Sequence, residues 1–188
     1  MPVSRFNSYP CSNNMKKEKK IEIERVWAMP NKWTFKIKPI TKLLKEEMTG
    51  LIADPFAGQN SPAHEQNDIK ETAGNWDTDH KDALTWLRGK RTNRYDTVLY
   101  NPPYSITQPM MYGKKEFFSM EIGIVMKYWA DCKNEIARIL KPGGKAMCFG
   151  WNSMGLGKNR GFEMKRILLV AHGGSRNDTI CTVEIKKL

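Results

Sequence analysis

Short apolar runs alternate with helical patterns along the chain from Gly50 onward. Parallel strands are buried on both faces and are joined by helices, so this alternation predicts an α/β domain with a mainly parallel sheet. The apolar runs predict strands at residues 51–53, 95–100 and 145–151, and a weaker one within 63–69.

Three segments have the composition and spacing of helices. Residues 42–48 follow Pro39, residues 82–88 form a short helix, and residues 119–140 carry a long amphipathic pattern. The Lys-Pro-Gly-Gly sequence at 141–144 is a helix-stop and turn signal that closes the third helix. The second and third helices therefore lie between predicted strands, as crossover connections require.

The last two predicted strands, 166–172 and 179–185, are joined by a loop over 173–178. A connection of that length permits a hairpin but no crossover helix, so we expect the pair to be antiparallel. The sequence therefore predicts a mainly parallel sheet that closes with a C-terminal antiparallel hairpin.

The composition restricts the class of protein. A chain of 188 residues with 40% hydrophobic and 27% charged residues is typical of one globular domain. No apolar run approaches the roughly 20 residues that cross a bilayer, and no apolar export segment follows the first charges. No C-x-x-C pair occurs among the cysteines, which are Cys11, Cys132, Cys148 and Cys181. We therefore expect a cytoplasmic protein with no membrane segment, no metal and no disulfide framework.

The charge balance indicates an anionic partner. Thirty-one lysines and arginines against 20 acidic residues give a net charge of +11. Nucleic acid is the first candidate, and a merely basic globular protein is the alternative. Residues 1–20 include a basic cluster from Lys16 to Lys20 and predict a flexible arm, either a solvated tail or a segment that follows a phosphate backbone. We expect residues 21–188 to form a single domain.

The first candidate motif directly follows the first core strand and consists of Asp54, Pro55, Phe56, Ala57 and Gly58. Ligands of open α/β sheets bind beyond the carboxyl ends of the strands. Small residues there let the backbone approach a ligand closely, and an acidic side chain on the turn can hold a cationic amino group. Alone, the motif also fits an ordinary strand-to-turn junction.

The second candidate motif follows the strand at 95–100 and consists of Asn101, Pro102, Pro103 and Tyr104. Consecutive prolines fix the backbone and carry no N–H, so the Pro102 carbonyl can be aimed rigidly beside the side-chain carbonyl of Asn101. These two acceptors can bind the hydrogens of one amino group. Tyr104 offers an aromatic face on which a base can stack.

The two motifs in this order, with Asp54 and Asn101 47 residues apart, resemble those of the DNA amino-methyltransferases. The Asn-Pro-Pro-Tyr form resembles the adenine-N6 enzymes, and the stretch 137–187 is similar to small enzymes of phage or prophage type. The resemblance covers about residues 33–188 and implies a Rossmann-like class I methyltransferase fold, with S-adenosylmethionine as the cofactor and DNA as the partner. It implies methylation of adenine N6, as in restriction-modification, in a prokaryotic or phage-infected cell.

The same resemblance implies which residues bind the cofactor. The pentapeptide matches the main cofactor motif, although the family's second glycine is replaced by Asn60. Segment 33–39 occupies the place of the N-terminal cofactor motif, which puts Phe35 and Lys36 near the methionine end. Two acids complete the implied site: Asp68 for the ribose hydroxyls, with Asp77 and Asp79 as rivals, and Asp82 for the adenine amino group.

Catalysis by this family follows from the chemistry of the amine, which is a poor nucleophile because its lone pair is delocalised into the ring. Acceptors at Asn101 and Pro102 would localise that lone pair and stabilise the positive charge that grows on nitrogen. The amine is inaccessible within a stacked duplex, so we expect the base to be flipped onto Tyr104.

The sequence has no room for a separate target-recognition domain. The only spare segment is 105–118, so we expect DNA contacts from Ser105, Lys114 and Lys115 within it. We also expect a DNA contact from Pro103, just before this segment. A short target sequence, or a homodimer that shares the recognition, follows as a hypothesis. We expect Trp151 to lie in the core rather than at the edge of a base pocket, and His172 to be structural.

Two alternatives remain open at the level of sequence. One is an N4-cytosine or RNA methyltransferase, because related motifs serve other amines. The other is a non-catalytic nucleic-acid-binding subunit that keeps the fold, which the intact 101–104 motif disfavours and Asn60 leaves open.

Overall fold

The computed structural model describes residues 20–103 and 122–188. Its strands are β1 (Glu22–Trp27), β2 (Ile52–Asp54), β3 (Glu65–Gln66), β4 (Tyr95–Tyr100), β5 (Leu140–Gly150), β6 (Phe162–Ala171) and β7 (Thr179–Lys186). Its helices are α1 (Lys38–Glu47), α2 (Ala83–Arg88) and α3 (Ile122–Ile139), with 3-10 turns at Thr34–Lys36 and Lys158–Arg160. The predicted arm lies, up to residue 19, outside the described residues.

The described strands form one sheet in the order β1-β6-β7-β5-β4-β2-β3. Every neighbouring pair is parallel except those of β7, which runs antiparallel to both β5 and β6. The predicted mainly parallel sheet with a C-terminal antiparallel hairpin is therefore confirmed. Because β2, β3, β4, β5 and β6 run in the same direction, their carboxyl ends meet at one edge of the sheet.

The sheet is covered on both faces. Along β4, Val98 packs into a cluster with α2 and α3, whereas the next residue, Leu99, packs on the other face with α1. Both side chains are fully buried. Such a strand must be apolar at consecutive positions, which explains the continuous apolar run in its sequence. None of the helices within 20–103 and 122–188 is both long and apolar enough to cross a membrane.

The start of β5 differs from the prediction. The strand begins at Leu140, which pairs with Tyr95, and not at residue 145. Two residues along β4 correspond to five along β5, from the Tyr95–Leu140 pair to the Thr97–Lys145 pair, so the Lys-Pro-Gly-Gly sequence forms an irregularity within the strand. The signal correctly marks the end of the third helix, which the structure ends at Ile139, and Gly143 has φ 77°, but the strand begins before this sequence and not after it.

The edge strand β1 is not predicted by the sequence, because its residues, Glu-Ile-Glu-Arg-Val-Trp, show neither a strict polar–apolar alternation nor a long apolar run. It is held in place by ion pairs of Arg166 on β6. The guanidinium lies 3.3 Å from Glu22, 3.0 Å from Glu24 and 2.7 Å from Glu46. Since Glu46 belongs to α1, this arginine joins two strands and a helix.

Candidate active site

A cavity of about 660 Å³ opens at the carboxyl edge of the parallel strands. Its walls include the loops after β2, β3 and β4, the segment 30–37 before α1, part of α3 and the loop between β6 and β7. The volume falls within the range of roughly 300–1,000 Å³ that is usual for ligand pockets. The cavity therefore lies where ligands of open α/β sheets bind.

Asp54 shapes the loop after β2 and does not line the cavity. Its carboxylate is fully buried and accepts hydrogen bonds from the backbone N–H of Phe56 at 2.9 Å and from the hydroxyl of Ser61 at 2.7 Å. Burial raises the pKa of Asp54 to about 7, against the effect of these two hydrogen bonds. The sequence analysis expects Asp54 to bind a cationic group of a ligand directly. In the structure its carboxylate instead fixes the conformation of the loop after β2.

The other four residues of the pentapeptide line the cavity. Gly58 has φ 56°, and a Cβ added to it would meet no atom within 4 Å. A residue with that backbone conformation and open space before it can approach a ligand closely. Asn60 also lines the cavity and has no positive φ, so the loop does not need a glycine at that position.

Asp68 lines the cavity, whereas its two rivals do not. Asp77 is exposed. Asp79 accepts a hydrogen bond from the indole of Trp86 at 2.6 Å, which is the main reason why its pKa is lowered. Of the three acids, the structure brings only Asp68 to the cavity.

Asp82 also lines the cavity, at the N-terminus of α2. One carboxylate oxygen accepts the backbone N–H of Thr85 at 3.0 Å, and the other accepts the hydroxyl of Tyr128 at 2.7 Å. Burial, followed by the hydrogen bond to Asp82, raises the pKa of Tyr128. Tyr128 lines the cavity too, and its sequence context within α3 gave no signal of this role.

The residues that follow β4 lie in the same wall. Asn101, Pro102 and Pro103 are half-buried and line the cavity. Tyr104, Ser105, Lys114 and Lys115 lie outside the described residues. The acceptors predicted from the second motif therefore share one cavity with the loop predicted from the first.

The segment 33–39, which the sequence analysis predicts to be the N-terminal cofactor motif, is divided between the wall and the surface. Phe35 is buried, lines the cavity and packs edge-on against Phe149 with ring centroids 5.1 Å apart. Lys36 is exposed and is absent from the cavity wall. Within the 3-10 turn, Thr34 and Phe35 thus line the cavity, whereas Lys36 does not.

The position of Trp151 corrects one expectation, and His172, which is expected to be structural, also lines the cavity. β5 ends at Gly150, so Trp151 leaves the sheet, is 41% exposed and lines the cavity instead of the core. His172 is buried: Nδ1 lies 2.9 Å from the carbonyl of Ala28, so this nitrogen donates, and Nε2 accepts from the hydroxyl of Thr179 at 3.0 Å. Sequence reasoning missed the neighbouring wall residues Lys32, Arg176 and Asn177.

Comparison with known proteins identifies the fold. No protein-family model and no curated protein matches the chain. TrmN from Thermus thermophilus matches at 16% identity with a TM-score of 0.51, over 79% of this chain and 47% of that protein, so the chain spans about half of its length. A methyltransferase homologue from Pyrococcus horikoshii matches at 10% identity with a TM-score of 0.48, over 76% of this chain and 63% of that one. With the sheet order above, the chain has a Rossmann-like methyltransferase fold.

Proposed function

We propose that the protein methylates the exocyclic N6 amine of a flipped adenine in DNA with S-adenosylmethionine as the methyl donor. One observation carries the proposal: Asn101 and Pro102 line the same cavity as the Gly58 loop, Asp68 and Asp82. Two acceptors suited to an amine therefore share a cavity with a loop and two acids suited to a nucleoside.

The residues present fit the methyl donor. The open approach at Gly58 accommodates a ligand against the backbone. Asp68 and Asp82 each accept two hydrogen bonds from the protein, which leaves further lone pairs for the ribose hydroxyls and the adenine amino group, respectively. When bound, S-adenosylmethionine supplies an activated methyl group on a sulfonium sulfur.

The acceptors after β4 activate the amine. The side-chain carbonyl of Asn101 and the carbonyl of Pro102 would each accept one hydrogen of the amino group, which withdraws its lone pair from the ring and directs it along the path of attack. As nitrogen becomes positively charged, the same fixed oxygens stabilise it, and removal of one such group typically costs about 100- to 1,000-fold in rate. Tyr104, by its resemblance to the family motif, is proposed to stack on the flipped base.

The choice of DNA rests on the charge and on the motif. The net charge of +11 favours a polyanionic substrate. The Asn-Pro-Pro-Tyr sequence favours adenine N6 through its resemblance to those enzymes. Methylation of cytosine N4 or of RNA requires the same acceptors, so only the product can discriminate among them.

The test identifies that product. The full chain is incubated with cofactor labelled in the methyl group and with DNA and RNA in separate reactions, and the nucleosides are then resolved by mass spectrometry. We expect N6-methyladenine in DNA, and no label with Asn101→Ala. N4-methylcytosine or methylated RNA as the main product would overturn the substrate, and binding of cofactor and DNA without any transfer would identify a non-catalytic subunit.

A further inference from the structure

Two of the cations that line the cavity lie apart from its acids, whereas a third, Lys70, lies beside Asp68. Its acidic lining residues within the described parts of the chain, Asp68 and Asp82, both lie on the side of the Gly58 loop. The opposite side, formed by segment 30–33 and the loop between β6 and β7, contributes the cations Lys32 and Arg176. The side with Lys32 and Arg176 contributes cations and no acid among the described lining residues, so it is suited to an anionic ligand group.

Lys32 and Arg176 have no ion-pair partner within 4.0 Å among residues 20–103 and 122–188. Several other cations of the fold are paired at short distance, as Lys141 is with Asp96 at 2.7 Å. The acid closest in sequence to Arg176 is Asp178, and its carboxylate accepts the backbone N–H of His172 at 3.2 Å instead. The positive charge at this side is thus left uncompensated by the described residues.

The position of Lys32 is fixed without neutralising its charge. Its ammonium lies over the ring of Trp33, 4.8 Å from the centroid. The side chain of Asn31 accepts the backbone N–H of Trp33 at 2.9 Å, which closes a tight turn around the lysine. A cation held over an aromatic ring keeps its full charge for an external anion.

The loop that carries Arg176 is attached, through His172, to the segment that precedes Lys32. This imidazole donates to the carbonyl of Ala28, four residues before Lys32, and accepts from Thr179 at the start of β7. The backbone N–H of Ala28 also donates to the carbonyl of Ala171 at 3.0 Å. Two of these hydrogen bonds therefore connect the segments that bear the two cations, and the third, between His172 and Thr179, closes the base of the loop that carries Arg176.

We infer that Lys32 and Arg176 bind the backbone phosphates that flank the nucleotide whose base enters the cavity. The inference rests on the proposed function and adds to it the residues that hold the DNA strand. Phosphate contacts position a nucleic acid without reading its sequence, and arginine suits them because its planar guanidinium can contact two phosphate oxygens. These cations lie on described loops and act independently of the predicted lysines at 114 and 115.

The test compares two charge-matched double variants of the full chain. Lys32→Ala/Arg176→Ala removes the cavity cations. Lys158→Ala/Lys187→Ala removes two exposed lysines beside the start of β6 and the end of β7, at the sheet edge opposite the cavity. Binding of a fluorescein-labelled adenine-containing duplex is measured by fluorescence anisotropy between low and moderate salt, with cofactor binding and thermal melting as checks on folding.

Removal of two phosphate contacts should flatten the slope of log affinity against log salt by about 1.8, since each contact on duplex DNA contributes about 0.9. The control variant should keep the wild-type slope, and both variants should keep the cofactor affinity. An unchanged slope in the cavity variant, or an equal loss of slope in the control, would overturn the inference.

Two further measurements distinguish failure of the phosphate contact from failure of the proposed function. Adenosine 5′-monophosphate is used as a competitor, because a free nucleotide carries the same phosphate chemistry; competition at the affinity of the duplex would overturn a contact to flanking phosphates. The methylated product is measured in the same samples. Wild-type protein that shows the Lys32- and Arg176-dependent slope but forms no N6-methyladenine supports the phosphate contact and defeats the proposed function alone.

Discussion

The carboxylate of Asp68 accepts a hydrogen bond from the backbone N–H of Gly58 with a donor–acceptor distance of 3.0 Å. Its other oxygen accepts the N–H of Lys70 at 2.9 Å. One side chain therefore joins the loop after β2 to the loop after β3, and the same side chain is proposed to hold the ribose. The proposed function therefore implies that cofactor binding and loop geometry are coupled at this position.

Asp68→Ala should lower the affinity for S-adenosylmethionine by about tenfold or more, because hydrogen bonds to a charged group contribute about 1.5–3 kcal/mol. Asp68→Asn keeps an acceptor for the Gly58 N–H and should lose less. Isothermal titration calorimetry measures both, with the exposed Asp77→Asn as the control. Unchanged affinity in Asp68→Ala would remove this acid from the cofactor site.

The carboxyl ends of the central strands were predictable because the residues that mark each end are adjacent in the sequence. An apolar run followed directly by 54–58 or 101–103 combines a strand, its carboxyl end and the polar groups there in one short sequence. The hairpin of β6 and β7 was predictable because its connecting loop is short. Each of these features depends on neighbours along the chain.

The remaining features depend on contacts between distant residues. β1 is stabilised by Arg166, more than a hundred residues later in the sequence, and nothing within 22–27 reveals that pairing. Tyr128 joins the site through Asp82 on another helix. Trp151 looked like the last residue of an apolar strand, and only the end of pairing at Gly150 shows that it turns outward.

Asn101→Ala should reduce methyl transfer by at least 100-fold and change cofactor affinity less than twofold, because Asn101 is proposed to act on the amine of the substrate. Single-turnover rates with labelled cofactor measure the first effect and calorimetry the second. Asn159→Ala, at an exposed position on the turn before β6, serves as the control and should behave as wild type. A parallel loss of cofactor affinity would place Asn101 in the cofactor site instead.

Tyr128→Phe should lower the free energy of unfolding by about 1 kcal/mol and weaken cofactor binding several-fold, because Asp82 loses the hydroxyl that orients its carboxylate. Tyr95→Phe is a matched control: its hydroxyl donates to Glu65 at 2.6 Å, and neither residue lines the cavity. Urea denaturation should show a loss in both variants, whereas calorimetry should show weaker cofactor binding in Tyr128→Phe alone. Equal cofactor affinity in the two would argue against a role of Asp82 in the site.

The last prediction concerns the pH dependence of stability at Asp54. Burial, together with the charge of Asp68, raises its pKa from 3.8 to about 7 in the folded protein, although Ser61 and the Phe56 N–H favour the ionised form. The folded state therefore binds this proton more tightly than the unfolded chain. The resulting stabilisation is complete below about pH 4 and is lost as the pH rises through about 7.

Asp54→Asn isolates this effect from all other titrating groups, because the amide does not ionise but can still accept from the Phe56 N–H and donate to the Ser61 hydroxyl. From pH 5 to pH 8 the wild type should lose on the order of 2 kcal/mol of unfolding free energy relative to the variant. Urea denaturation of both proteins at the two pH values measures the difference. Ser61→Ala removes a hydrogen bond that favours the ionised carboxylate and should move the loss to higher pH. A difference between wild type and Asp54→Asn that is the same at pH 5 and pH 8 would show that Asp54 is ionised throughout this range.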